Sequence, residues 1–419
     1  IRGAGTHAAG VVIADDEIVK YVPLHRPTGN ATDDTPIKKL TQFEMATLES
    51  LGLLKVDFLG LATLTIMQRA CALIKERRGI DLNLYNIPID DAQTYELLGR
   101  GETAGVFQFE GSGMRRWMVA MKPKMLDNAV AMVALFRPGP MDFIPTYIAR
   151  MHGKEEVKYA HPKLESIFAE TYGIPVYQEQ LMFAVMEVAG YTPSEADDLR
   201  KAIAKKIESK LHKHRKKFVE GAVKQGIAEK TAEGIFADWE NFARYGFNKA
   251  HAADYGLIAV QTAYLKTHYP VEYMTALLSV SQGDTDKVAA YITDCQRMAI
   301  DVLPPDINHS VWDFAAEDRS DAPSAIRFVL GAVKNVGRGA IEAIISGRGQ
   351  ASGQQPFDSL GDLAHRVDLR HVGKRPLESL VKAGALDTFG DRHALLAAVD
   401  QIVATSAAHF AAKEAGQLT

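Results

Sequence analysis

The sequence predicts a mainly helical α+β protein, and three observations carry that reading. Residues 1–60 run apolar or alternate in the manner of strands. After Gly60 the apolar positions recur at helical spacing. From there to about residue 310, Gly and Pro cut the chain into pieces of about 8–20 residues, the usual length of globular helices.

The first sixty residues contain "GVVIADD" and "EIVKYVPL", both strand-like, separated from the next strand by the polar insertion "HRPTGNATDDTP". "LATLTIMQRACALIKERRG" then has apolar residues on one helical face and stops at Gly79. Later breaks fall at "RPGP" (137–140), "YGIP" (172–175), "YTPS" (191–194) and "LPPD" (303–306). Residues 311–335, with "AIRFVLGAV", return to a strand-like pattern, and helices resume after Gly339. The alanine-rich end from about 397 reads as a flexible tail. No short repeat period is present, so a solenoid is not expected.

Composition sets the outer bounds. The chain has 419 residues, 47% hydrophobic and 24% charged, enough for two or three domains with their own cores. No uninterrupted apolar run reaches the ~18 residues of a membrane span, so no membrane association is expected. Cys71 and Cys295 are the only cysteines, which argues against a disulfide scaffold or a CxxC zinc site and points to a reducing cytoplasm. A net charge of −4 speaks against a uniformly basic nucleic-acid binder and leaves local patches open. The chain does not begin with Met and opens on "IRGAGTHAAGVVIA", a glycine-rich turn entering a strand, so it reads as the interior of a longer protein.

Four stretches could carry chemistry. "LGLLKVDFLGLATL" (51–64) places Lys55 and Asp57 two apart in an apolar run. Alternation puts both on one face of a strand and Val56 and Phe58 on the other. An aspartate at a strand end can ligate a divalent metal and a lysine beside it can offset phosphate charge, although a plain ion pair satisfies the same pattern. One carboxylate cannot assemble two-metal phosphoryl chemistry by itself.

"DLRKAIAKKIESKLHKHRKK" (198–217) carries nine Lys or Arg from Arg200 to Lys217 against one acid, Glu208. On a helix, Lys201 and Lys205 share a face, as do Lys206 and Lys210. With so few i,i+4 acid partners, self-repulsion favours a polyanion as the neutralising partner, against the simpler reading of a solvated surface helix. "RYGFNKAHAADYG" (244–256) brings Tyr245, Asn248, Lys249, His251 and Tyr255 close together, with His251 and Tyr255 four apart on one face. Rings can stack on a base and the polar groups can meet sugar or phosphate; a buried Tyr/His network is the alternative.

"LGAVKNVGRGAIEAIISG" (330–347) resembles a helix-hairpin-helix, in which backbone N–H groups at a helix start hold a DNA phosphate. Lys334, Asn335, Gly337 and Arg338 would form its turn, and Asn335 tolerates the left-handed conformation that the turn needs. "DLRHVGKRPLESLVKAGALD" (368–387) reads as a more degenerate second copy.

Taken together, "HAAGVVIA", "KVDFLGLATLTI", "VFQFEGSGM", "ALFRPGP", "TYGIPVYQEQ", "ADDLRKAIAKK", "YGFNKAHAADYG", "LPPDIN" and "LVKAGALD" resemble, in order, the bacterial DNA polymerase III alpha subunits, the C-family replicative polymerases. The resemblance implies that residues 1–60 are the C-terminal part of a polymerase-beta-like palm. It implies helical fingers over 61–310, the start of a clamp-binding region with helix-hairpin-helix-like elements over 311–396, and a flexible tail over 397–419.

By the same resemblance Asp57 is the third of three metal-binding aspartates and the catalytic residue in hand, with two Mg²⁺ ions in the complete site. Lys55 lies near the triphosphate, and Arg200 contacts it. Lys201 stands where relatives often have a second arginine, which weakens a forked phosphate grip there. Tyr245, Asn248, Lys249, His251 and Tyr255 fall beside the incoming nucleotide. Lys205, Lys206, Lys210 and the hairpin residues Lys334, Asn335, Gly337 and Arg338 are the expected DNA contacts.

The expected partners are primer-template DNA, dNTP, a sliding clamp and other replicase subunits, with no membrane. The expected reaction is template-directed transfer of a nucleotide to a primer 3′-hydroxyl, a nucleotidyltransferase activity that residues 1–419 alone would lack. The family's other two aspartates, in a "DxD" strand, would lie upstream of residue 1. Gln417-Leu418-Thr419 would begin a QLxLF-type clamp motif. An error-prone paralogue within the family and, from another class, a non-catalytic DNA-binding module are the alternative readings.

Overall fold

A computed structural model describes residues 10–26, 39–204, 207–242, 246–349 and 355–416. It divides into two compact units, Ile1–Leu64 and Thr65–Thr419. The architecture is mainly helical with a few short strands, an α+β fold.

The smaller unit contains β1 (Gly10–Ile13), β2 (Leu24–His25), β3 (Leu40–Thr41), helix α1 (Met45–Ser50) and β4 (Leu54–Asp57). β1 pairs antiparallel with β4, setting Val12 opposite Lys55 and Gly10 opposite Asp57, while β2 pairs with β3. Val22, Leu48 and Leu53 form a small core on which Val12, Ile18 and Leu24 pack. "EIVKYVPL" is not the strand its pattern suggests. It makes a 3₁₀ turn at Ile18–Lys20 before the two-residue β2. Local side-chain bonds favour the turn: Lys20 Nζ donates to Asp16 at 2.6 Å and the Tyr21 hydroxyl donates to Asp15 at 2.6 Å.

Helices dominate the rest. α2 (Ala62–Arg78) ends before Gly79, whose φ of 69° stops the helix as its sequence suggests. α3 (Ala92–Arg100), α4 (Ser112–Met121), α5 (Leu126–Leu135), α6 (Ile144–Met151) and the single turn α7 (Glu165–Phe168) follow. Next come α8 (Gln178–Ala189), α9 (Pro193–Ala204), α10 (Glu208–Lys224) and α11 (Glu229–Phe242), then α12 (Lys249–His268), α13 (Pro270–Ser281) and α14 (Thr285–Arg297).

Three cores organise these helices. Leu98, Phe109, Met118, Met132, Tyr147 and Val260 belong to the one that α12 shares with α3–α6. Gly256 lets α12 come close to α5, because a Cβ there would lie 2.7 Å from Val130 Cγ2. Residues of α8–α11, among them Val185, Leu199, Phe218 and Trp239, make a second core. A third joins Ile74 of α2 to Tyr273, Met274 and Leu278 of α13 and to Cys295 of α14.

Residues 311–335 form less strand than their pattern implies. β6 (Ala315–Glu317) and β7 (Ala325–Arg327) have three residues each and join β5 (Val302–Leu303) in a small mixed sheet of order β5-β7-β6. "LGAV" (330–333) lies in turns instead. The chain then continues through α15 (Arg338–Gly347), α16 (Leu360–Arg366), α17 (Leu369–Val372), α18 (Lys374–Lys382) and α19 (Arg392–Glu414) around a fourth core that includes Ile341, Leu363, Leu377 and Leu380. The alanine-rich end is helix, not an irregular tail. Asp391 caps α19 by accepting from His393 N and Ala394 N, and Leu395, Val399 and Ser406 dock it. Among the described residues α19 is the helix long and apolar enough to cross a membrane. Only 17% of its apolar stretch is buried, and Asp400 within it is exposed and pairs with Lys374 at 2.7 Å.

Buried charge fixes the helical unit internally. Glu272 on α13 is fully buried and accepts from Arg77 Nε at 3.0 Å and Arg78 Nε at 2.9 Å, which ties α13 to the end of α2. Burial pushes its carboxyl up, but the bonds to Arg78 and Arg77 outweigh that and hold it below its ordinary range. Lys266 on α12 is buried as well, donating to Asp294, Glu102 O and Ala104 O. Such groups are costly to break because the remaining partner stays buried and uncompensated. Glu272→Ala is expected to lower unfolding stability by about 3–5 kcal/mol in urea titrations. Lys75→Ala, which removes the exposed pair with Asp81, should cost less than about 1 kcal/mol. Equal effects of the two substitutions would show that Glu272 is not a structural pin.

Candidate functional site

In the smaller unit the Lys55 and Asp57 side chains do share a face of β4, and they pair at 3.0 Å. The lysine is sunk to 14% exposure, near Met45 Sδ, whereas Asp57 stands 43% exposed. Opposite Asp57 is Gly10, which has no side chain to cover the carboxylate across the ladder. Asp57 supplies one carboxylate. Among the described residues no group of three His, Cys, Asp or Glu could hold a metal ion, so a two-ion centre does not fit what is present.

In the helical unit, two segments far apart in sequence are joined by backbone bonds. Phe247 N donates to Val176 O at 3.1 Å and Gln178 N donates to Phe247 O at 2.8 Å, a parallel bridge between the start of α8 and the start of α12. Asn248 caps α12, accepting from His251 N at 2.8 Å. One turn later His251 and Tyr255 lie against each other with ring centroids 4.2 Å apart and planes tilted by 46°. Phe247 lies 5.4 Å from His251 and Phe107 lies 5.1 Å from Tyr255, so four rings run in a row, with the Arg137 guanidinium 4.5 Å from the Phe247 centroid. His251 is exposed and the other three rings are part-buried.

Arg200 is tied to this row. Its Nη1 donates to Gln178 Oε1 at 3.2 Å, and Gln178 Nε2 donates to Gly246 O at 3.1 Å. Its Nε and Nη2 donate to Asp197 Oδ1 at 2.9 and 2.7 Å, and Lys201 Nζ meets Asp197 Oδ2 at 2.7 Å. Lys201 and Arg200 hold the Asp197 carboxyl below its ordinary range. Asn248 and Lys249 face glutamates: Asn248 Nδ2 and Lys249 N donate to Glu179 at 2.9 Å each, and Lys249 Nζ donates to Glu170 at 2.6 Å. Tyr245, Lys205 and Lys206 lie outside the described residues.

The basic helix is not the unneutralised array that its sequence suggests. Acids from the helices packed beside α10 balance it: Lys210 and His214 meet Asp198, Lys217 meets Glu195, and Arg215 meets Glu233. These partners are 12 to 22 residues away, beyond the i,i+4 window in which acids are sought on a single helix. A polyanion is therefore not required for α10 to form, and Lys210 is already paired.

At the hairpin, Lys334, Asn335, Gly337 and Arg338 are exposed in one tight turn leading into α15. Asn335 adopts φ 71°, the left-handed conformation its side chain tolerates. The segment before it is a run of turns and not a first helix. Arg338 pairs with Glu342 at 2.9 Å, and Asn335 Nδ2 donates to Ser379 Oγ at 3.2 Å. The second copy is the more regular one, α17–Gly373–α18, with Gly373 at φ 85°.

Gln178, Glu179, Asp197, Phe107 and Arg137 are the neighbours that motif reading left out. The first two stand in "YQEQ", and only contacts from α9 and α12 single them out.

Helical fingers followed by a hairpin module are the class of protein that these parts define. Residues 63–226 match the family described as "Bacterial DNA polymerase III alpha subunit finger domain". Residues 299–395 match "Helix-hairpin-helix motif", and residues 1–60 match "Bacterial DNA polymerase III alpha NTPase domain". Proteins named DNA polymerase III subunit alpha are similar along nearly the whole chain. The one from Thermus aquaticus is 50% identical over 407 residues, covering 96% of this chain and 32% of that protein. Those from Chlamydia pneumoniae and Caulobacter vibrioides are 44% and 40% identical, covering 96% and 99% of this chain and 31% and 35% of theirs. The chain belongs to the bacterial DNA polymerase III alpha subunit family. It spans about a third of the length of these relatives.

Acid should weaken the pairs between α9 and α10. Lys217 beside Glu195 holds that carboxyl down to about 2, and Lys210 and His214 hold Asp198 below its ordinary range. A depressed carboxyl contributes stability above its unfolded value and loses it as pH falls through its folded value. Trp239, buried in the α8–α11 core, reports this when Trp117 and Trp312 are replaced by Phe. Because both carboxylates are exposed, its fluorescence should change only slightly between the ordinary carboxylate range and about pH 2. A signal flat down to pH 2 would contradict the role of these pairs.

Proposed function

We propose that this chain is the fingers-bearing part of a replicative DNA polymerase, which transfers a nucleotide from dNTP to a primer 3′-hydroxyl on a DNA template. The observation that carries the proposal is the bonded link between Arg200 and the ring row of Phe247, His251 and Tyr255. A guanidinium suited to phosphate oxygens and a row of tilted rings suited to a base are held by one bridge, and the family match supports a nucleotide reaction.

In this reading Arg200 offers its unused N–H donors to the triphosphate, with Lys201 adding charge. His251 presents its exposed ring edge, backed by Tyr255 and Phe107, so the base meets a surface that is already packed and loses little entropy in ordering it. Tyr245, Asn248 and Lys249 complete the nucleotide surface, and Lys249 exchanges its glutamate for phosphate. Asp57 is the catalytic carboxylate, with Lys55 offsetting triphosphate charge.

Asp57 would supply one ligand to the two Mg²⁺ ions of the family reaction, which would stabilise charge on the phosphates. Since one carboxylate does not make that centre, no step is assigned to metal here. Lys205, Lys206, Lys210 and the exposed turn Lys334–Arg338 serve as contacts to primer-template DNA, through backbone phosphates and without reading sequence. A sliding clamp, other replicase subunits and a cytoplasmic location belong to the same proposal.

The test uses the full-length alpha subunit that contains this segment. Asp57→Asn should abolish primer extension and leave primer-template affinity within about twofold, since a metal ligand goes and no DNA contact does. Arg200→Ala should raise the KM for dNTP by about tenfold or more, as loss of a charge-assisted phosphate contact. Equal loss of turnover and DNA affinity in Asp57→Asn would make that residue structural. An unchanged KM in Arg200→Ala would remove the arginine from the site.

A further inference from the structure

The Gln178 side chain lies between the two halves of the proposed nucleotide surface and bonds to both. Its Oε1 accepts from Arg200 Nη1 at 3.2 Å, its Nε2 donates to Gly246 O at 3.1 Å, and its own backbone N donates to Phe247 O at 2.8 Å. A Cβ on Gly246 would come within 3.3 Å of Gln178 Cγ, so the loop is packed directly on this side chain. An amide is donor and acceptor at once, whereas an ionised glutamate has no donor and a lysine no acceptor.

We propose that Gln178 is a positioning residue for nucleotide binding, holding the Arg200 guanidinium in register with the ring row that begins at Phe247. The inference rests on the assignment of Arg200 to the triphosphate. A guanidinium has five N–H donors. Arg200 commits Nε and one N–H of Nη2 to Asp197 and one N–H of Nη1 to Gln178, which leaves two for an incoming anion. Asp197 fixes one edge of the plane, and without Gln178 the plane can still pivot about that edge. With Gln178 in place, the remaining donors keep a set direction relative to His251, because Gln178 is bonded to the same loop that carries the rings.

Neither partner of the amide is a reacting group, so Gln178 acts through Arg200 and the effect belongs in nucleotide capture rather than in the chemical step. A mere packing role would instead lower stability and leave the ratio of the two kinetic constants as it was.

The experiment is a double-mutant cycle in the full-length alpha subunit on primer-template DNA, with dNTP KM, kcat and thermal midpoint measured for each protein. Gln178→Met keeps the length and removes both bonds. It should raise KM by about threefold to tenfold with kcat within about twofold, and should add little once Arg200→Ala is present. Gln178→Glu removes the donor to Gly246 O and sets a carboxylate against Arg200, where it competes with the triphosphate; it should raise KM at least as much. It also decides the matter should Gln178→Met fail to fold.

If Arg200→Ala leaves KM unchanged, the assignment of Arg200 fails and this inference falls with it. If Arg200→Ala raises KM while the Gln178 variants leave it unchanged, or raise it equally with and without Arg200, the assignment stands and the positioning role is overturned.

Discussion

The helical unit depends on one short backbone bridge, the pair of N–H···O bonds that Phe247 makes with Val176 and Gln178. It fastens the start of α12 to the start of α8. Because α12 also packs against α5 through Gly256, and α8 carries α9 and α10 on its flank, the bridge joins two helical cores through two peptide groups. Arg200, the Gly246–Phe247 loop and the His251–Tyr255 ring pair are neighbours for that reason. None of them is near another in sequence except within the loop and the helix that follows it.

A second theme is pre-neutralisation. Among the described residues, most cations that a motif search would assign to phosphate already have an acid: Arg200 and Lys201 have Asp197, Lys249 has Glu170, and Lys210 has Asp198. Exposed pairs of this kind contribute little to stability. Their effect is to hold long side chains in one orientation, so that a polyanion exchanges one acidic partner for another and need not order a free lysine. Lys334 differs, exposed in a turn beside Asn335 and Arg338, and a duplex backbone could reach it without displacing an acid.

The legible part of the molecule was its local part. The two-residue period around Lys55 and Asp57 put both side chains on one face, as their 3.0 Å pair shows. The four-residue spacing of His251 and Tyr255 put both on one face of a helix, as their 4.2 Å centroid separation shows. Asn335 suited a left-handed turn. What could not be read was what distant segments bring. The acids that balance α10 stand on α9 and α11, and Gln178 becomes notable only once Arg200 and Gly246 fold onto it. "EIVKYVPL" has a strand-like pattern, yet Asp15 and Asp16 draw Tyr21 and Lys20 into a turn. In the alanine-rich C-terminal stretch, composition suggested a tail; a capping Asp391 and three buried positions made it a helix.

The central claim is that the Arg200 side chain and the ring row around His251 form a single nucleotide-binding surface. Photocrosslinking with 8-azido-dATP, on the full-length alpha subunit with primer-template DNA and Mg²⁺, tests it most directly. The account predicts that the label falls on the peptide spanning 246–255, is displaced by unlabelled dNTP, and is strongly reduced by Arg200→Ala. Labelling confined to another part of the helical unit, or labelling of 246–255 that ignores the arginine, would contradict it.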